Sequence, residues 1–195
     1  MSTAFLFPGQ GVDLVAVGRD WVERSASVRA LVDAAVAATG LSPSDVFGGG
    51  GRALRRTELV QPVLTALCLG ICGELRAASI RPRFVVGHSL GEMAACAAAG
   101  VFRERDAVEL AALRGRLMAR EAGRRAGGML ALVGVDAAVV DEALAFGASH
   151  GQVGLAAWNS PDEAVVAGEP EALRRIAARW PNVPLDVAGA WHGPG

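Results

Sequence analysis

The chain has 195 residues, 52% of them hydrophobic, which fits one folded domain with at most a modest insertion and excludes disorder. Its formal net charge of -1 excludes the basic surface that a nucleic-acid partner would require. All 19 basic residues are arginine, so Schiff-base chemistry and lysine-dependent phosphate binding are excluded as well. Because tyrosine is also absent, any chemistry must rest on serine, cysteine, histidine, arginine or carboxylate side chains.

The cysteines and the N-terminus indicate the cellular compartment. Cys68, Cys72 and Cys96 form no Cys-x-x-Cys pair, a pattern typical of free, buried thiols in a reducing cytoplasm rather than of disulfides or a zinc site. Residues 1–7 carry no charged stretch and run into Pro8, so we expect no signal peptide. Charges interrupt the apolar stretches before about 18 residues, so we expect no membrane span. We therefore predict a cytoplasmic protein without a metal site. Its alanine- and arginine-rich composition is typical of bacterial proteins.

The first part of the chain predicts alternating strands and helices, as in a doubly wound α/β domain. Short apolar runs that end in turns predict the strands, and apolar residues at helical spacing predict the helices. The predicted elements are a buried strand at Ala4–Phe7, a helix at about 19–38, a glycine-rich loop at Gly48–Gly51, a helix at about 62–78, a buried strand at Phe84–Val86, a helix that ends near Ala99 and another over about 104–122.

The pattern changes after Gly127-Gly128. The predicted elements there are strand 129–134, helix 136–147, strands 153–158 and 163–167, helix 170–180 and strand 183–187. This βαββαβ order is that of a ferredoxin-like unit. The predicted fold class is therefore α/β, with three parts: a body with a parallel sheet, like that of the α/β-hydrolases, over 1–126, an inserted ferredoxin-like subdomain over 127–187 and a return segment over 188–195.

One short motif predicts a nucleophile. Gly87-His88-Ser89-Leu90-Gly91 fits the Gly-x-Ser-x-Gly pattern, which places serine on a sharp turn between a strand and a helix. The glycines leave room for neighbouring backbone, and the helix that follows directs its free N–H groups and its dipole at the turn. An oxyanion beside Ser89 is thereby favoured, and we predict that Ser89 is the nucleophile.

A serine hydroxyl needs a general base, and the chain offers 3 histidines. His88 adjoins Ser89, but neighbouring side chains at such a turn point apart. His150 falls in a loop of the small subdomain, where a solvated polar role is the simpler interpretation. His192 follows the last predicted strand and is the candidate by elimination, although residue order alone leaves its role open.

An arginine lies where an apolar side chain is expected. Leu110, Leu113, Leu117 and Met118 predict an apolar stripe on one helix, and Arg114 falls within it. A guanidinium among core residues must find an anion or reach solvent. The anion is either an internal carboxylate, in a structural ion pair, or the carboxylate of a substrate held beside the nucleophile.

These residues belong to an ordered set of motifs that resembles the malonyl-CoA:acyl carrier protein transacylase family, including the acyltransferase domains of polyketide synthases. The resemblance extends over nearly the whole chain. The matching segments are Phe7–Gly11, Gln61-Pro62, Gly87–Glu92, Arg114-Gly115, Asn159–Pro161 and Ala190–His192.

The resemblance implies an acyl-enzyme mechanism without a bound cofactor or metal. Ser89 would attack the thioester of an acyl-CoA, with His192 as base and then as acid. The acyl group would pass to the phosphopantetheine thiol of a partner acyl carrier protein. The resemblance also assigns the backbone N–H groups of Gln10 and Leu90 as donors to the oxyanion. It assigns four side chains that contact the substrate, namely Arg114, Gln61, Asn159 and Trp191.

Several positions depart from the family pattern. Asp13 stands where glutamine is usual, and Gly193 replaces a common serine. The tetrad that ends in Trp191-His192 matches neither the malonyl-type nor the methylmalonyl-type pattern, but the bulk of Trp191 and the presence of Leu90 both favour malonyl. Because family members continue well beyond the equivalent of His192, we expect that the C-terminal third of the family is missing here.

Two other functions also fit the sequence. The first is an editing acyl hydrolase, or thioesterase, of the same fold that acts on acyl carrier proteins, although such enzymes generally lack the arginine. The second is an incomplete, non-catalytic module that needs a partner, either a further C-terminal segment or other synthase modules. The sequence does not distinguish fatty acid, polyketide and malonate decarboxylase contexts. Arg52, Arg55 and Arg56 are candidate contacts for an acidic carrier, but a solvated surface is the simpler interpretation.

Overall fold

The computed structural model describes residues 2–12, 14–39, 42, 46 and 56–194. Their fold is mixed α/β, as the sequence predicts, and the chain divides into two compact units, Met1–Met118 and Ala119–Gly195. The predicted loop at Gly48–Gly51 lies outside the described residues, as do Asp13, Arg52 and Arg55.

The first unit contains a parallel pair of strands and most of the helices. Its elements are β1 (Ala4–Phe7), α1 (Leu14–Arg24), α2 (Ala26–Ala37), α3 (Thr57–Ala77), β2 (Phe84–Gly87), α4 (Gly91–Ala98) and α5 (Glu104–Ala122), the last of which continues into the second unit. The two strands pair from Ala4 with Phe84 to Phe7 with Gly87. Because the strands are parallel and in this register, the turns that follow them leave the same end of the sheet.

Two predicted helices of this unit differ from the observed ones by more than a residue or two. The single helix expected at 19–38 is two helices, because Ser25 has extended backbone and its side chain caps the N-terminus of α2. Pro62 does not open its helix, since α3 begins at Thr57 and Pro62 lies inside it. Proline costs a helix the one hydrogen bond that its N–H would make, here to Glu58, and the buried residues around Pro62 offset that loss.

The core of this unit lies between α2 and α3. Val28, Val32 and Val36 of α2 are fully buried against residues of α3 such as Val63 and Leu67. By length and composition α3 could cross a membrane, but most of it is buried inside the protein. Here α3 is the central core helix, and its apolar character is explained by packing on several sides.

The predicted burial of the second strand is wrong. Phe84 and Val86 of β2 are 57% and 55% exposed, and Leu6 of β1 is 75% exposed, whereas Phe5 and Phe7 are buried. Successive side chains of a strand point to opposite faces, and the described helices of this unit cover only one face. An apolar groove of about 440 Å³ also runs beside β1 and the helices α1 and α3.

The predicted apolar stripe on α5 is wrong too. Leu110, Leu113 and Leu117 are exposed, and the helix buries a face of small residues that includes Ala111 and Gly115. A β-carbon at residue 115 would lie 2.8 Å from the carbonyl oxygen at the start of α3. The absence of a side chain at Gly115 therefore lets α5 pack closely on the N-terminal end of α3.

The second unit is an antiparallel sheet with two helices. Its elements are β3 (Gly128–Val133), α6 (Ala137–Ala148), β4 (Val153–Ser160), β5 (Glu163–Gly168), α7 (Pro170–Ala177) and β6 (Asn182–Pro184). The strand order is β4-β5-β3-β6, and every neighbouring pair is antiparallel. Leu132, Val140, Val166 and Ile176 form its buried core, to which both helices contribute.

Candidate active site

The turn that carries Ser89 is tight and strained. It joins β2 to α4 in three residues, and backbone hydrogen bonds from Gly91 to the His88 carbonyl (2.9 Å) and from Glu92 to the Ser89 carbonyl (3.1 Å) close it. Ser89 has a φ of 52°, in the left-handed region that costs a non-glycine residue about 1–3 kcal/mol. The surrounding packing holds the serine in this conformation at the end of the sheet.

The two glycines of the motif are required by close backbone approaches. A β-carbon on Gly87 would overlap the backbone of Gly91 and Glu92, and one on Gly91 would overlap the carbonyl of Phe7. Glycine is the only residue that fits both places. The Gly-x-Ser-x-Gly spacing therefore allows the turn to pack directly against the end of β1.

His88 is held by the neighbouring strand. Its backbone N–H donates to the carbonyl of Phe7 at 3.0 Å. A β-carbon on Gly9 would lie 2.8 Å from its Nδ1 atom, so the imidazole of His88 packs against Gly9. The ring thus lies beside the turn that follows β1.

The guanidinium of Arg114 lies beside the serine hydroxyl. Its Nη2 is 3.4 Å from Ser89 Oγ, and its Nη1 donates to Oε1 of Gln61 at 2.8 Å. Burial lowers the pKa of Arg114 from its usual value, and the charge of Glu92 acts in the opposite direction. Among the described residues of the first unit, no carboxylate forms an ion pair with Arg114. Of the two interpretations of this arginine, the internal ion pair is therefore represented, in the described part of this unit, only by the longer-range charge of Glu92.

A chain of buried hydrogen bonds continues from Arg114. Gln61 is fully buried, and its Nε2 donates to Thr57 Oγ1 at 2.8 Å and to Met118 Sδ at 3.0 Å. Thr57 Oγ1 donates in turn to Oε1 of Gln10 at 3.2 Å. Sequence reasoning missed Thr57 because it lies before the predicted start of the helix. If the helix had been predicted to begin at Thr57, this residue would have been expected one turn before Gln61, on the same face of the helix.

The backbone donors that the resemblance assigns lie at the end of the same sheet. Gln10 is in the turn that follows β1, and the next residue, Gly11, has a φ of 110°. Leu90 is buried and directly precedes the first residue of α4. Since Phe7 pairs with Gly87, the turns that contain Gln10 and Ser89 adjoin each other.

The remaining predicted site residues belong to the second unit. His192 lies in a turn near the C-terminus and has a φ of 59°. The indole of Trp191 packs against Gly189 and lines a cavity of about 630 Å³. Asn159 is exposed at the end of β4, where its Nδ2 donates to Glu163 Oε1 at 2.6 Å.

The cysteines are not placed for chemistry at this site. Cys72 is buried and Cys68 half-buried against the core of the first unit, and all three cysteines are free. Burial, reinforced by the neighbouring Cys72 thiol, raises the pKa of Cys68 to about 12, so its thiolate is scarcely populated near neutral pH. Within the ranges that the structure describes, no group of three or more histidine, cysteine, aspartate or glutamate residues could hold a metal ion.

Comparison with known proteins assigns a family. The profile of a family described as an acyl transferase domain matches residues 4–185. A malonyl CoA-acyl carrier protein transacylase of Bacillus subtilis is 31% identical over 97% of this chain, which spans 62% of that protein. The crystal structure of the malonyl-CoA:ACP transacylase of Synechocystis superposes with a TM-score of 0.85 at 34% identity, over 97% of this chain and 64% of the other. A malonyl-transacylase in complex with a type II polyketide synthase acyl carrier protein superposes with a TM-score of 0.84 at 31% identity, over the same shares.

Proposed function

We propose that this chain, which belongs to the acyl transferase domain family, transfers a malonyl or related carboxyacyl group from CoA to the phosphopantetheine thiol of an acyl carrier protein. The observation that carries this proposal is the 3.4 Å approach of Arg114 Nη2 to Ser89 Oγ. A cation beside a nucleophile suits a substrate whose acyl group ends in a carboxylate. The relatives named as malonyl transacylases support the same acyl group and the same acceptor.

The first half-reaction forms an acyl-enzyme. Ser89 Oγ attacks the carbonyl carbon of the thioester while His192 accepts the hydroxyl proton. The backbone N–H groups of Gln10 and Leu90 are the proposed donors to the tetrahedral oxyanion. Collapse of this intermediate breaks the carbon–sulfur bond, and His192 returns the proton to the departing CoA thiol. The products are the Ser89 ester and free CoA.

The second half-reaction repeats these steps with a different thiol. The phosphopantetheine thiol of the carrier loses its proton to His192 and attacks the Ser89 ester. As the ester bond breaks, His192 returns this proton to Ser89 Oγ and restores the hydroxyl, so the transfer is ping-pong and needs no further reactant. The similar malonyl-transacylase that is bound to an acyl carrier protein supports this choice of partner.

Arg114 supplies the selectivity of the proposed reaction. Its guanidinium can pair with the free carboxylate of a malonyl group in a bidentate manner, which a neutral acetyl group cannot do. Gln61 holds the guanidinium through the 2.8 Å hydrogen bond to Nη1. Trp191 and Asn159 are proposed as further substrate contacts, since their positions match family motifs. The bulk of Trp191 would disfavour an α-branched acyl group.

The finer fold assignment and the cellular location belong to the same proposal. We assign an α/β-hydrolase-like body to 1–126 because the serine turn follows a parallel strand. We assign a ferredoxin-like subdomain to 127–187 because its sheet has the order β4-β5-β3-β6, and a return segment to 188–195. Free cysteines and a CoA thioester substrate both suit the cytoplasm. An editing hydrolase is not favoured, because the similar proteins are transacylases.

The test measures acylation of the full chain by intact-mass spectrometry. With malonyl-CoA we expect a mass increase of one malonyl group, and we expect none in Ser89→Ala. Arg114→Ala should lower the rate of malonyl transfer to the protein about 10- to 100-fold, because it removes a charge-assisted contact, and leave acetylation by acetyl-CoA unchanged. Arg116→Ala, an exposed arginine of the same helix, is the matched control and should behave as wild type.

Two results would overturn the proposal. One is the absence of any acyl adduct on Ser89. The other is acylation by malonyl-CoA and acetyl-CoA in a ratio that Arg114→Ala does not change. If the acyl-enzyme hydrolyses in water as fast as it reacts with carrier thiol, the chain is an acyl hydrolase instead.

A further inference from the structure

The hydrogen-bond chain behind Arg114 points to a residue that controls the site from outside it. We propose that Thr57 is a positioning residue: its hydroxyl fixes the amide of Gln61 with the oxygen toward Arg114, and so sets the preference for carboxyacyl over neutral acyl substrates. This inference rests on the proposed function, in which Arg114 binds the substrate carboxylate.

The side-chain amide of Gln61 has two different ends, and their order matters. Oε1 faces the Nη1 of Arg114 at 2.8 Å, while Nε2 faces Thr57 Oγ1 at 2.8 Å. If the amide turned over, its NH₂ group would meet the guanidinium, and two donors would face each other inside the protein. Because Gln61 is fully buried, water could not relieve that conflict.

The hydroxyl of Thr57 can act only as an acceptor toward Gln61. It has a single proton, which it donates to Oε1 of Gln10 at 3.2 Å. Its remaining lone pairs therefore accept the amide N–H of Gln61. The three hydrogen bonds run in one direction, because Arg114 donates to Gln61, Gln61 to Thr57 and Thr57 to Gln10, an arrangement in which each bond polarises the next.

The other partner of Gln61 cannot replace Thr57. The second acceptor near Nε2 is the thioether of Met118 at 3.0 Å, and a thioether sulfur is a weak acceptor. Without the hydroxyl, the preference for one orientation of the amide would rest mainly on Arg114 itself. The guanidinium would then lose the fixed oxygen that orients its Nη2 toward Ser89.

The backbone around Thr57 is fixed independently of its side chain. Thr57 is the first residue of α3, and its carbonyl oxygen packs against Gly115, the residue next to Arg114. Thr57 is 5% exposed, so valine, which has the same shape, fills the same space. Thr57→Val therefore removes the hydroxyl and leaves the contact between α3 and α5 in place.

The experiment compares single-turnover acylation of the full chain by malonyl-CoA and by acetyl-CoA. Thr57→Val is expected to lower the malonyl rate at subsaturating substrate by about 5- to 20-fold, through a higher KM, and to leave the acetyl rate within about 2-fold. Thr57→Ser, which restores a hydroxyl, should recover the wild-type ratio. Thr65→Val is the matched control: Thr65 is buried on the same helix, but its hydroxyl donates to the backbone carbonyl of Gln61. It should change the melting temperature without changing the ratio.

The outcomes separate this inference from the proposed function. If Arg114→Ala changes the malonyl-to-acetyl ratio and Thr57→Val does not, the positioning role of Thr57 is wrong and the proposed function stands. If Arg114→Ala leaves the ratio unchanged, the proposed function itself fails. Equal losses with both substrates in Thr57→Val, or no recovery in Thr57→Ser, would also overturn the positioning role. Should Thr57→Val not fold, Thr57→Ala tests the same hydroxyl, and failure of both to fold would assign that hydroxyl to stability alone.

Discussion

The two units of this protein bury their sheets to different degrees. In the second unit, four antiparallel strands cover a core of large aliphatic side chains that includes Leu132, Val166 and Ile176. In the first unit, the two described strands are parallel, and Leu6, Phe84 and Val86 on one face are exposed. Parallel sheets are normally covered on both faces, whereas antiparallel sheets tolerate one open face.

The two units are therefore held together by different kinds of interaction. The serine turn is held by backbone contacts at the end of the first sheet, where Gly91 packs on the carbonyl of Phe7. Those contacts do not depend on whether the outer face of the sheet is covered. The site residues of the first unit are thus fixed by helix packing and close backbone approaches, while the second unit is stabilised by a conventional core.

The largest expected effect tests whether the strained turn of the first unit supplies the nucleophile. Ser89→Ala should abolish acylation, since it removes the attacking oxygen. Circular dichroism should show that both units remain folded in this variant. Ser89→Gly should also be inactive but more stable than Ser89→Ala by about 1 kcal/mol, because glycine adopts a φ of 52° without strain. Equal stability of the two variants in urea titrations would contradict the strain at this turn.

The second effect tests the closed core of the second unit. Leu132→Ala should lower its free energy of unfolding by about 2–5 kcal/mol, because Leu132 is fully buried and the surrounding residues cannot fill the cavity. Leu155→Ala, on the neighbouring strand β4, is the control and should cost less, since Leu155 is exposed. Comparable losses in chemical denaturation would show that the two leucines are equally buried in solution.

The third expected effect is a difference between the units in how their stability depends on pH. Burial raises the pKa of Cys68 to about 12, so the folded state keeps a proton that the unfolded thiol releases at its lower, ordinary pKa. The contribution of Cys68 to stability is therefore complete below the ordinary thiol pKa and declines as the pH rises from there toward 12. The chain has no lysine or tyrosine, so few other groups titrate in this range.

This alkaline loss should be confined to the first unit, which contains all three cysteines. Thermal melts recorded from pH 8 upward would measure it, with Cys68→Ala as the control that removes the slope due to this thiol. An identical slope in that variant would mean that Cys68 does not carry the effect.

The smallest expected effect concerns the open face of the first sheet. Phe84→Thr should change the free energy of unfolding by about 0.5 kcal/mol or less, because the ring is already more than half exposed and threonine suits a strand. A loss of more than about 2 kcal/mol would indicate that this face is covered in solution. The comparison between the units would then no longer hold.

Much of the local structure followed from local patterns. Apart from the break at Ser25, which divides one predicted helix into two, the order of the described strands and helices was predictable in both units, because apolar periodicity and turn residues act over a few neighbouring positions. The turn at Ser89 was predictable for the same reason, since its glycines are required by backbone within a short stretch of chain. The catalytic and binding roles of Ser89, His192 and Arg114 stay predictions until the acylation experiments are done.

Other features depended on residues far apart in the chain. Periodicity found the apolar residues of β2 and α5 but not which of them are buried, because burial depends on what packs against each face. The leucines of α5 are exposed since the closest approach to α3 is made by Gly115 instead. Thr57 and Gln61 became part of the site only through contacts with Gln10 and Arg114, which lie on other elements. Local patterns were thus enough to predict most of the elements and the serine turn, which arise from neighbouring residues. The buried faces and the hydrogen-bond chain could not be predicted in this way, because they form only when distant segments of the folded chain meet.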